Sequence, residues 1–253
     1  MAKLSAVIIT FNEERNIDRC LQTLSSVADE IVVVDSGSTD RTEAICRDYK
    51  VRFIHQPFLG YIEQKNFATA NAAYDLILSL DADEALSDEL HQSVLLAKES
   101  PQASAYTLNR LTNYCGHWVR HCGWYPDKKL RLYDRRKGQW GGTNPHDRFE
   151  MKGSEPTLHL NGNLLHYSYN SISDHILQIN RFSEIGAQAL YAKGKKISIL
   201  GIIVKTHARF IRNYIIKKGF LDGFYGWVIS KNSAYATYLK YIRLYLLCRR
   251  KKQ

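Results

Sequence analysis

The sequence predicts an α/β fold: a mostly parallel sheet flanked by helices, then a mixed β/loop half, then a basic helical extension. Three observations carry this. In the first hundred residues, short strand-like runs alternate four times with helix-period segments, which implies parallel strands joined by crossover helices. After Pro101 the pattern breaks into short β-like pieces separated by polar, Gly-rich loops. From about residue 171 onward, apolar and aromatic residues recur at near-helical spacing, interleaved with Lys and Arg.

Taken in order, residues 4–9 are the first strand run. Residues 14–27 show helix periodicity through Ile17, Cys20, Leu21 and Leu24. EIVVVD at 30–35 is the second strand, closed by Ser36-Gly37-Ser38, with Ser38 or Thr39 as the N-cap of a helix over 41–49. Residues 51–55 form the third strand, and Pro57 and Gly60 punctuate before a helix over 61–73. LILSL at 76–80 is the fourth strand, stopping at Asp81, and 87–98 is a further helix. Downstream, β-like pieces fall at 105–111, 118–122, 130–133, 157–160 and 164–169, and the helical region breaks near Gly194 and Gly219. The expected organisation is a catalytic-type domain over 1–170 and a helical, basic extension over 171–253.

Composition narrows the class. With 253 residues, 45% hydrophobic content and five Pro, the chain is not disordered, collagen-like or mucin-like. No run approaches the ~18 consecutive apolar residues of a spanning helix; the longest, 197–204, ends at Lys205. The apolar stretch 6–9 is too short for a secretory leader, and five Cys without small-scaffold spacing read as reduced thiols. A soluble-type intracellular protein is expected.

The net charge of +10 is uneven. Residues 1–192 carry a net −4, and residues 193–253 carry 15 Lys and Arg against a single acid, Asp222. Such a tail suits nucleic-acid phosphates or an anionic membrane surface. The interleaved residues decide: segments such as FIRNYIIKK at 210–218 and YLKYIRLYLL at 238–247 put Tyr, Ile and Leu beside the cations, as in a helix lying in the head-group plane. An anionic membrane surface is therefore the expected partner, and no specific nucleic acid is. The plainer alternative is helices that pack on the main domain with Lys outside.

In open α/β sheets, ligands sit outside the carboxyl ends of the strands. Here those ends read Thr10-Phe11-Asn12-Glu13, Asp35-Ser36-Gly37-Ser38-Thr39-Asp40 and Asp81-Ala82-Asp83-Glu84. The P-loop and GxGxxG fingerprints are absent, which disfavours ordinary nucleotide hydrolysis and dinucleotide redox chemistry. Two carboxylates around a small residue past a buried strand can present oxygens to Mg²⁺ or Mn²⁺, with substrate phosphate and water completing the shell. Alone the tripeptide is weak, because Asp is common as a cap at strand-to-helix turns.

The combination of VIITFNEE near the start, EIVVVDSGSTDRT after the second strand, GYIEQKNFA in the third helix and LILSLDADE after the fourth strand resembles family 2 glycosyltransferases with the GT-A fold. GWYPDKKLRLYDR and NPHDRFE further on look like the bacterial lipopolysaccharide-core β-1,4-glucosyltransferase branch. The resemblance covers about residues 4–170. It implies that Thr10, Asn12 and Glu13 border the nucleotide, with Asp35 near the uracil or ribose of a UDP-sugar. It also places Lys65 and Asn66 facing the nucleotide, Asp81 at the ribose or donor sugar, and Asp83 on a divalent cation (Mn²⁺ or Mg²⁺) at the diphosphate. The chemistry agrees, since a cation offsets the charge that grows on a departing diphosphate.

Direct displacement also needs a base for the acceptor hydroxyl. The resemblance places it in the His146-Asp147 pair, making Asp147 the base, although this branch more often has Glu there. A salt bridge to Arg148 is the structural alternative for Asp147. Arg131 and Lys128 could reach the diphosphate, with ion pairs to Asp127 or Asp134 as the other reading.

Other constellations are less telling. Cys115, His117, His121 and Cys122 lack the usual zinc spacings, so an acceptor-side loop is preferred, with Trp118, Trp124 and Tyr125 stacking on sugar rings. Gln178 and Arg181 faintly suggest the QxxRW signature of processive synthases, which carry membrane spans. His166 and His175 read as ordinary polar residues, and Cys20 and Cys46 as core. The expected function is inverting transfer of a sugar, glucose from UDP-glucose, to a glycolipid acceptor by a peripheral enzyme on the inner face of the cell membrane. The alternatives are transfer to a polyprenyl phosphate or surface polysaccharide, and a non-catalytic membrane or nucleic-acid binding module on the same fold.

Overall fold

A computed structural model describes residues 2–144, 146–153 and 155–250, with the side chains of His146 and Arg250 outside the described set. In chain order the first elements are β1 (Leu4–Thr10), α1 (Ile17–Leu24), β2 (Glu30–Asp35), α2 (Thr42–Asp48), β3 (Arg52–His55), α3 (Tyr61–Ala70) and β4 (Leu76–Asp81). Then come β5 (Glu84–Leu86), α4 (Asp88–Glu99), β6 (Ala105–Tyr114), β7 (His117–Trp118), β8 (Asp127–Asp134), β9 (Gly138–Thr143), β10 (His146–Met151) and β11 (Thr157–Tyr169). The remainder is helical: α5 (Ile172–Ala192), α6 (Ile199–Ile211) and α7 (Gly223–Arg250), with a π-turn at Arg212–Ile216 and a 3₁₀ turn at Gly219–Asp222 before α7. The chain divides into two compact units, residues 1–111 with 127–167, and residues 112–126 with 168–253.

In the first unit the strand order is β3-β2-β1-β4-β8-β6-β11-β5. The pairs β2/β3, β1/β2 and β1/β4 are parallel, while β4/β8, β6/β8 and β5/β11 are antiparallel. The four βα units thus give the parallel half, and the later β pieces extend the same sheet in the antiparallel sense. Burial on both faces explains why β1, β2 and β4 read as near-continuous apolar runs. Leu4, Ala6, Ile8, Leu78 and Leu80 pack with Ile17, Cys20, Leu21 and Leu24 of α1 and with Leu90 and Val94 of α4. Their neighbours Val7, Val32, Val34 and Ile77 turn to the other face, against Ala68 of α3 and the rings of Tyr133, Trp140 and Phe149. Cys20 and Cys46 are both buried, as core positions should be.

Several boundaries differ from the sequence reading for identifiable reasons. The pieces at 157–160 and 164–169 are one strand, because Gly162 takes a positive φ of 92° and lies so close to the Leu90 backbone that a Cβ there would sit 2.2 Å from its nitrogen. Only glycine allows that approach. The hairpin of β9 and β10 is a separate two-stranded sheet that the pattern missed, since GQWGGT offers little apolar alternation. The extended piece expected at 118–122 is reduced to His117–Trp118, paired with Asn113 and Tyr114.

The second unit is built on its three helices. Ser171 and Asp174 form a reciprocal capping box at the start of α5, and the Ser198 hydroxyl accepts from the Gly201 amide at the start of α6. A small core joins Tyr114, Val119 and Cys122 to Val228 and Ile229 of α7. Asp222 is buried there, accepting hydrogen bonds from the His121 amide at 2.8 Å and the Arg120 amide at 3.3 Å, with His121 Nδ1 at 3.0 Å. Among the described residues no helix is long and apolar enough to cross a membrane.

Candidate active site

The sheet register sets the ends of three strands side by side. Thr10 pairs with Asp35 across β1/β2, and Ile9 pairs with Asp81 across β1/β4. Just beyond these ends the backbone turns sharply, and the polar side chains of each turn hold the next one. Asn12 adopts a positive φ of 53°, donates its backbone amide to the Ser38 hydroxyl oxygen at 2.7 Å, and accepts the Thr39 amide on Oδ1 at 2.8 Å. Asn is among the few non-glycine residues that take this conformation readily. The Glu13 amide donates to Thr42 Oγ1 at 2.8 Å, and Asn16 donates to the Glu13 carboxylate at 2.8 Å.

Asp35 is fully buried, and its carboxylate accepts the Gly37 and Ser38 amides at 2.8 Å each and the Ser38 hydroxyl. This is the Asx-type turn that Asp forms at strand ends. Its carboxylate is therefore committed to shaping the turn. Thr10 differs: its hydroxyl oxygen is buried and, among the described residues, has no hydrogen-bond partner.

The chemistry-bearing groups converge at the end of β4. Asp81 is the last residue of that strand, Ala82 and Asp83 make the turn, and Glu84 opens β5. Lys65, on the buried side of α3, lies 3.0 Å from Asp81 Oδ1 and 2.7 Å from Asp147 Oδ2, with the Trp140 ring 4.6 Å from its ammonium. Arg131 of β8 donates to Asp81 Oδ2 at 2.8 Å and to Glu84 Oε1 at 2.9 Å. Glu84, wholly buried, accepts the Asp81 amide at 3.0 Å on its other oxygen, and Arg110 stands 3.5 Å from Glu84. Burial alone would raise the Asp81 pKa, but Lys65 and Arg131 outweigh it and hold the carboxyl well below its usual range. Arg131 is opposed by burial, yet Glu84 and Asp81 push its pKa upward.

Glu13 behaves in the opposite way. Burial is the main cause that pushes its pKa up to about 7; the Asn16 hydrogen bond opposes this, and the charges of Asp83, Asp40 and Asp81 add to it. The strand ends thus hold a surplus of negative charge on one side, around Glu13 and Asp83, and a neutralised network on the other.

Asp83 has a partner that the sequence did not suggest. β11 runs antiparallel to β5 with His166 opposite Glu84, and this brings His166 Nε2 to 3.1 Å from Asp83 Oδ2. The backbone fixes the pairing, because the Tyr167 amide donates to the Asp83 carbonyl at 2.9 Å and the Tyr167 ring lies under the Arg19 guanidinium at 3.7 Å. Reading His166 as an ordinary polar residue missed this. The only sequence signal was its place in an alternating run, which says that the residue faces one side of a sheet but not what it meets there.

Of the residues singled out beforehand, Lys65, Asp81, Arg131 and Asp147 form one connected cluster, with Asp83 two residues from Asp81. Asp147 meets Lys65 rather than Arg148, whose partner is Glu150 at 2.9 Å. Arg131 likewise pairs with Asp81 and Glu84 rather than Asp127 or Asp134. The amide of Asn66 is occupied at both ends by a strand backbone, donating to the Trp140 carbonyl at 2.9 Å and accepting the Trp140 amide at 3.0 Å, so it anchors β9 onto α3. Trp118, Trp124 and Tyr125 belong to the second unit. There Trp124 packs edge-on against Tyr114 at 5.9 Å and beside Tyr169 at 5.7 Å, and Tyr125 lies 5.7 Å from the Arg120 guanidinium. Within that segment Cys122 faces the Gly226 carbonyl, and His117 stacks on Tyr225 at 4.9 Å.

A divalent cation fits the donor set at Asp83. Among the described residues no group of three or more His, Cys, Asp and Glu is arranged to hold an ion by itself. One carboxylate at the end of β4 leaves most of a coordination shell to phosphate oxygens and water, which is how Mg²⁺ is ordinarily bound; the neighbouring His166 imidazole is a ligand for transition metals rather than for Mg²⁺. Mn²⁺ accepts the same oxygen ligands.

The strand ends thus gather carboxylates and two buried cations, Lys65 and Arg131, in one place. The family model described as Glycosyl transferase family 2 matches residues 5–155, and the chain belongs to that family, with a mixed α/β structure. An uncharacterised glycosyltransferase of Rickettsia typhi is 32% identical over 96% of this chain and 87% of its own length. The lipopolysaccharide core biosynthesis glycosyltransferase LpsC of Rhizobium meliloti is 29% identical over 96% and 92% respectively. Among solved structures, S. aureus TarS (residues 1–349) aligns over 99% of this chain and 92% of that one, at 13% identity and a TM-score of 0.43. Glucosyl-3-phosphoglycerate synthase from Mycobacterium tuberculosis, in complex with Mn²⁺, UDP and glucosyl-3-phosphoglycerate, aligns over 44% of each chain at 21% identity and a TM-score of 0.38.

Proposed function

We propose that this chain is an inverting glycosyltransferase that moves glucose from UDP-glucose to a membrane-embedded glycolipid of the lipopolysaccharide-core class. The observation that carries the reading is the set of groups around the end of β4: Asp81 and Asp83, the His166 imidazole on Asp83, and the Lys65–Asp147 pair. Similarity to LpsC over nearly the whole chain supports the acceptor class. The +14 of residues 193–253 suits work at the inner, anionic face of a membrane.

In this reading Thr10, Asn12, Glu13 and Asp35 border the nucleotide, and the partnerless Thr10 hydroxyl is free to bond it. Asp81 meets the ribose or donor sugar, its charge fixed by Lys65 and Arg131. Asp83, with His166 beside it, would hold a divalent cation, Mn²⁺ or Mg²⁺, and that cation would offset the negative charge that builds on the diphosphate. Lys65 Nζ contacts Asp147 and Asp81 at once and so orients the base relative to the donor site. Asp147 takes the proton of the acceptor hydroxyl as that oxygen bonds to the anomeric carbon; the bond from that carbon to the diphosphate breaks, and UDP leaves with the electron pair. Displacement from the opposite side inverts the anomeric centre. Trp118, Trp124 and Tyr125 offer aromatic surface for acceptor sugars.

The test is UDP release from a panel of UDP-sugars with Mn²⁺, Mg²⁺ or EDTA, for wild type and Asp83→Ala. Turnover of UDP-glucose that needs the metal and disappears in Asp83→Ala is expected. No turnover with any UDP-sugar, together with no thermal stabilisation by UDP and metal, would overturn the reading.

A further inference from the structure

Helix α6 is amphipathic with its apolar face turned to solvent. A surface helix of a globular unit normally hides its apolar stripe against the core. In α6 only Ile202 is buried, while Leu200, Ile203 and Val204 are 69%, 50% and 57% exposed. These residues and Ile211 follow one another at i, i+3, i+4 and i+11, one side of a helix. The exposed apolar surface continues past the helix through Ile215, Ile216, Phe220, Leu221, Phe224 and Trp227. Contiguous apolar surface on this scale marks an interaction site.

The charge around the face identifies the partner. Residues 193–231 contain nine Lys and Arg and one acid, Asp222, whose carboxylate is buried against the His121 and Arg120 amides. Lys205 lies on the flank of α6, with its ammonium 5.5 Å from the Tyr241 ring, Arg212 directly follows the helix, and Lys195, Lys196, Lys217 and Lys218 stand at the two ends of the segment. Long cationic side chains at the border of an apolar face reach lipid phosphates while the face enters the acyl boundary. A second copy of this chain would bring the same cations against each other, so like-charge repulsion disfavours it. A nucleic acid would satisfy the cations and leave the Leu, Ile and Val side chains in water.

We propose that α6 and the turns up to the start of α7 insert into the interface of an anionic phospholipid bilayer, with Leu200, Ile203, Val204 and Ile211 in the acyl boundary. This rests on the reading of a membrane-embedded acceptor and names the surface that reaches it. Insertion differs from simple electrostatic adsorption, because the apolar part of the binding outlasts salt screening.

The test is co-sedimentation of the full chain with vesicles of phosphatidylcholine alone and of phosphatidylcholine with phosphatidylglycerol, at low and high salt. Strong binding to the anionic vesicles is expected, with a measurable part retained at high salt. Leu200→Asp/Val204→Asp, at exposed positions, should lower binding by about tenfold or more. Lys196→Glu/Arg212→Glu should lower mainly the salt-sensitive part. Circular dichroism and UDP-induced thermal stabilisation on the same preparations show that folding and the donor site are unchanged, so failure here is separable from failure of the transferase reading. Undiminished vesicle binding by the double Asp variant would overturn the proposal, as would a dimer in light scattering that the same variant converts to monomer.

Discussion

His166 Nε2 lies 3.1 Å from Asp83 Oδ2, joining the turn after β4 to a strand far along the chain. If this pair holds the cation, His166→Ala should shift the Mn²⁺ dependence of UDP-sugar turnover to about 10–100-fold higher metal concentration, with partial recovery at saturating metal. The titration of activity against Mn²⁺ reads this directly. An unchanged metal dependence would leave His166 as a structural partner of Asp83.

Asp147 and Lys65 give a second test. If Asp147 is the base proposed above, Asp147→Asn, which keeps the shape of the side chain, should lower kcat by about 10²–10⁴-fold with little change in KM for the donor. Asp147→Glu, the residue more usual in this branch, should keep measurable activity. Comparable losses in both variants, with raised KM, would assign the carboxylate to positioning Lys65.

The Glu13 carboxyl has a pH consequence in the metal-free, nucleotide-free protein. Its folded pKa of about 7 stands above the ~4.3 of an unfolded Glu, mainly because burial disfavours the anion. Between those values the native state binds more protons than the unfolded chain, so stability falls as pH rises from about 4.3 to 7, by at most about 4 kcal/mol from this group. Urea unfolding at pH 5 and pH 7.5 should show that fall in wild type and a smaller one in Glu13→Gln.

Arg131 is buried between Asp81 and Glu84. Arg131→Met should cost about 3–5 kcal/mol, because it leaves the buried Glu84 and the half-buried Asp81 short of a cation. The loss should shrink on acidification, as the carboxyls become protonated. Urea midpoints at pH 4.5 and pH 7.5 measure both effects; equal midpoints for wild type and variant would show that Lys65 and Arg110 suffice.

What was legible in the sequence follows from where the determinants lie. The strands β1 to β4 and the buried faces of α1 and α4 are local patterns, and VIITFNEE, EIVVVDSGSTD and LILSLDADE mark three strand ends that the register does bring together. The β9/β10 hairpin was hidden because GQWGGT carries a single large apolar residue, Trp140, whose burial depends on Tyr133 and Phe149 from other strands. His166 was hidden because its meeting with Asp83 is set by strand pairing rather than by spacing. Asn66 sits in a recognisable motif, yet its amide clips the Trp140 backbone, which only the tertiary structure can reveal.

The two carboxylates around Ala82 stand in unequal surroundings. Asp81 is gripped by Lys65 and Arg131, so removing it takes one of two carboxylate partners from each of two buried cations. Asp83 pairs with neither of those cations and meets the His166 imidazole instead. If Asp83 is the metal ligand proposed above, a descendant of this gene that drifted away from catalysis would shed it before Asp81. Retention of Asp81 in such a chain would then record its architecture alone.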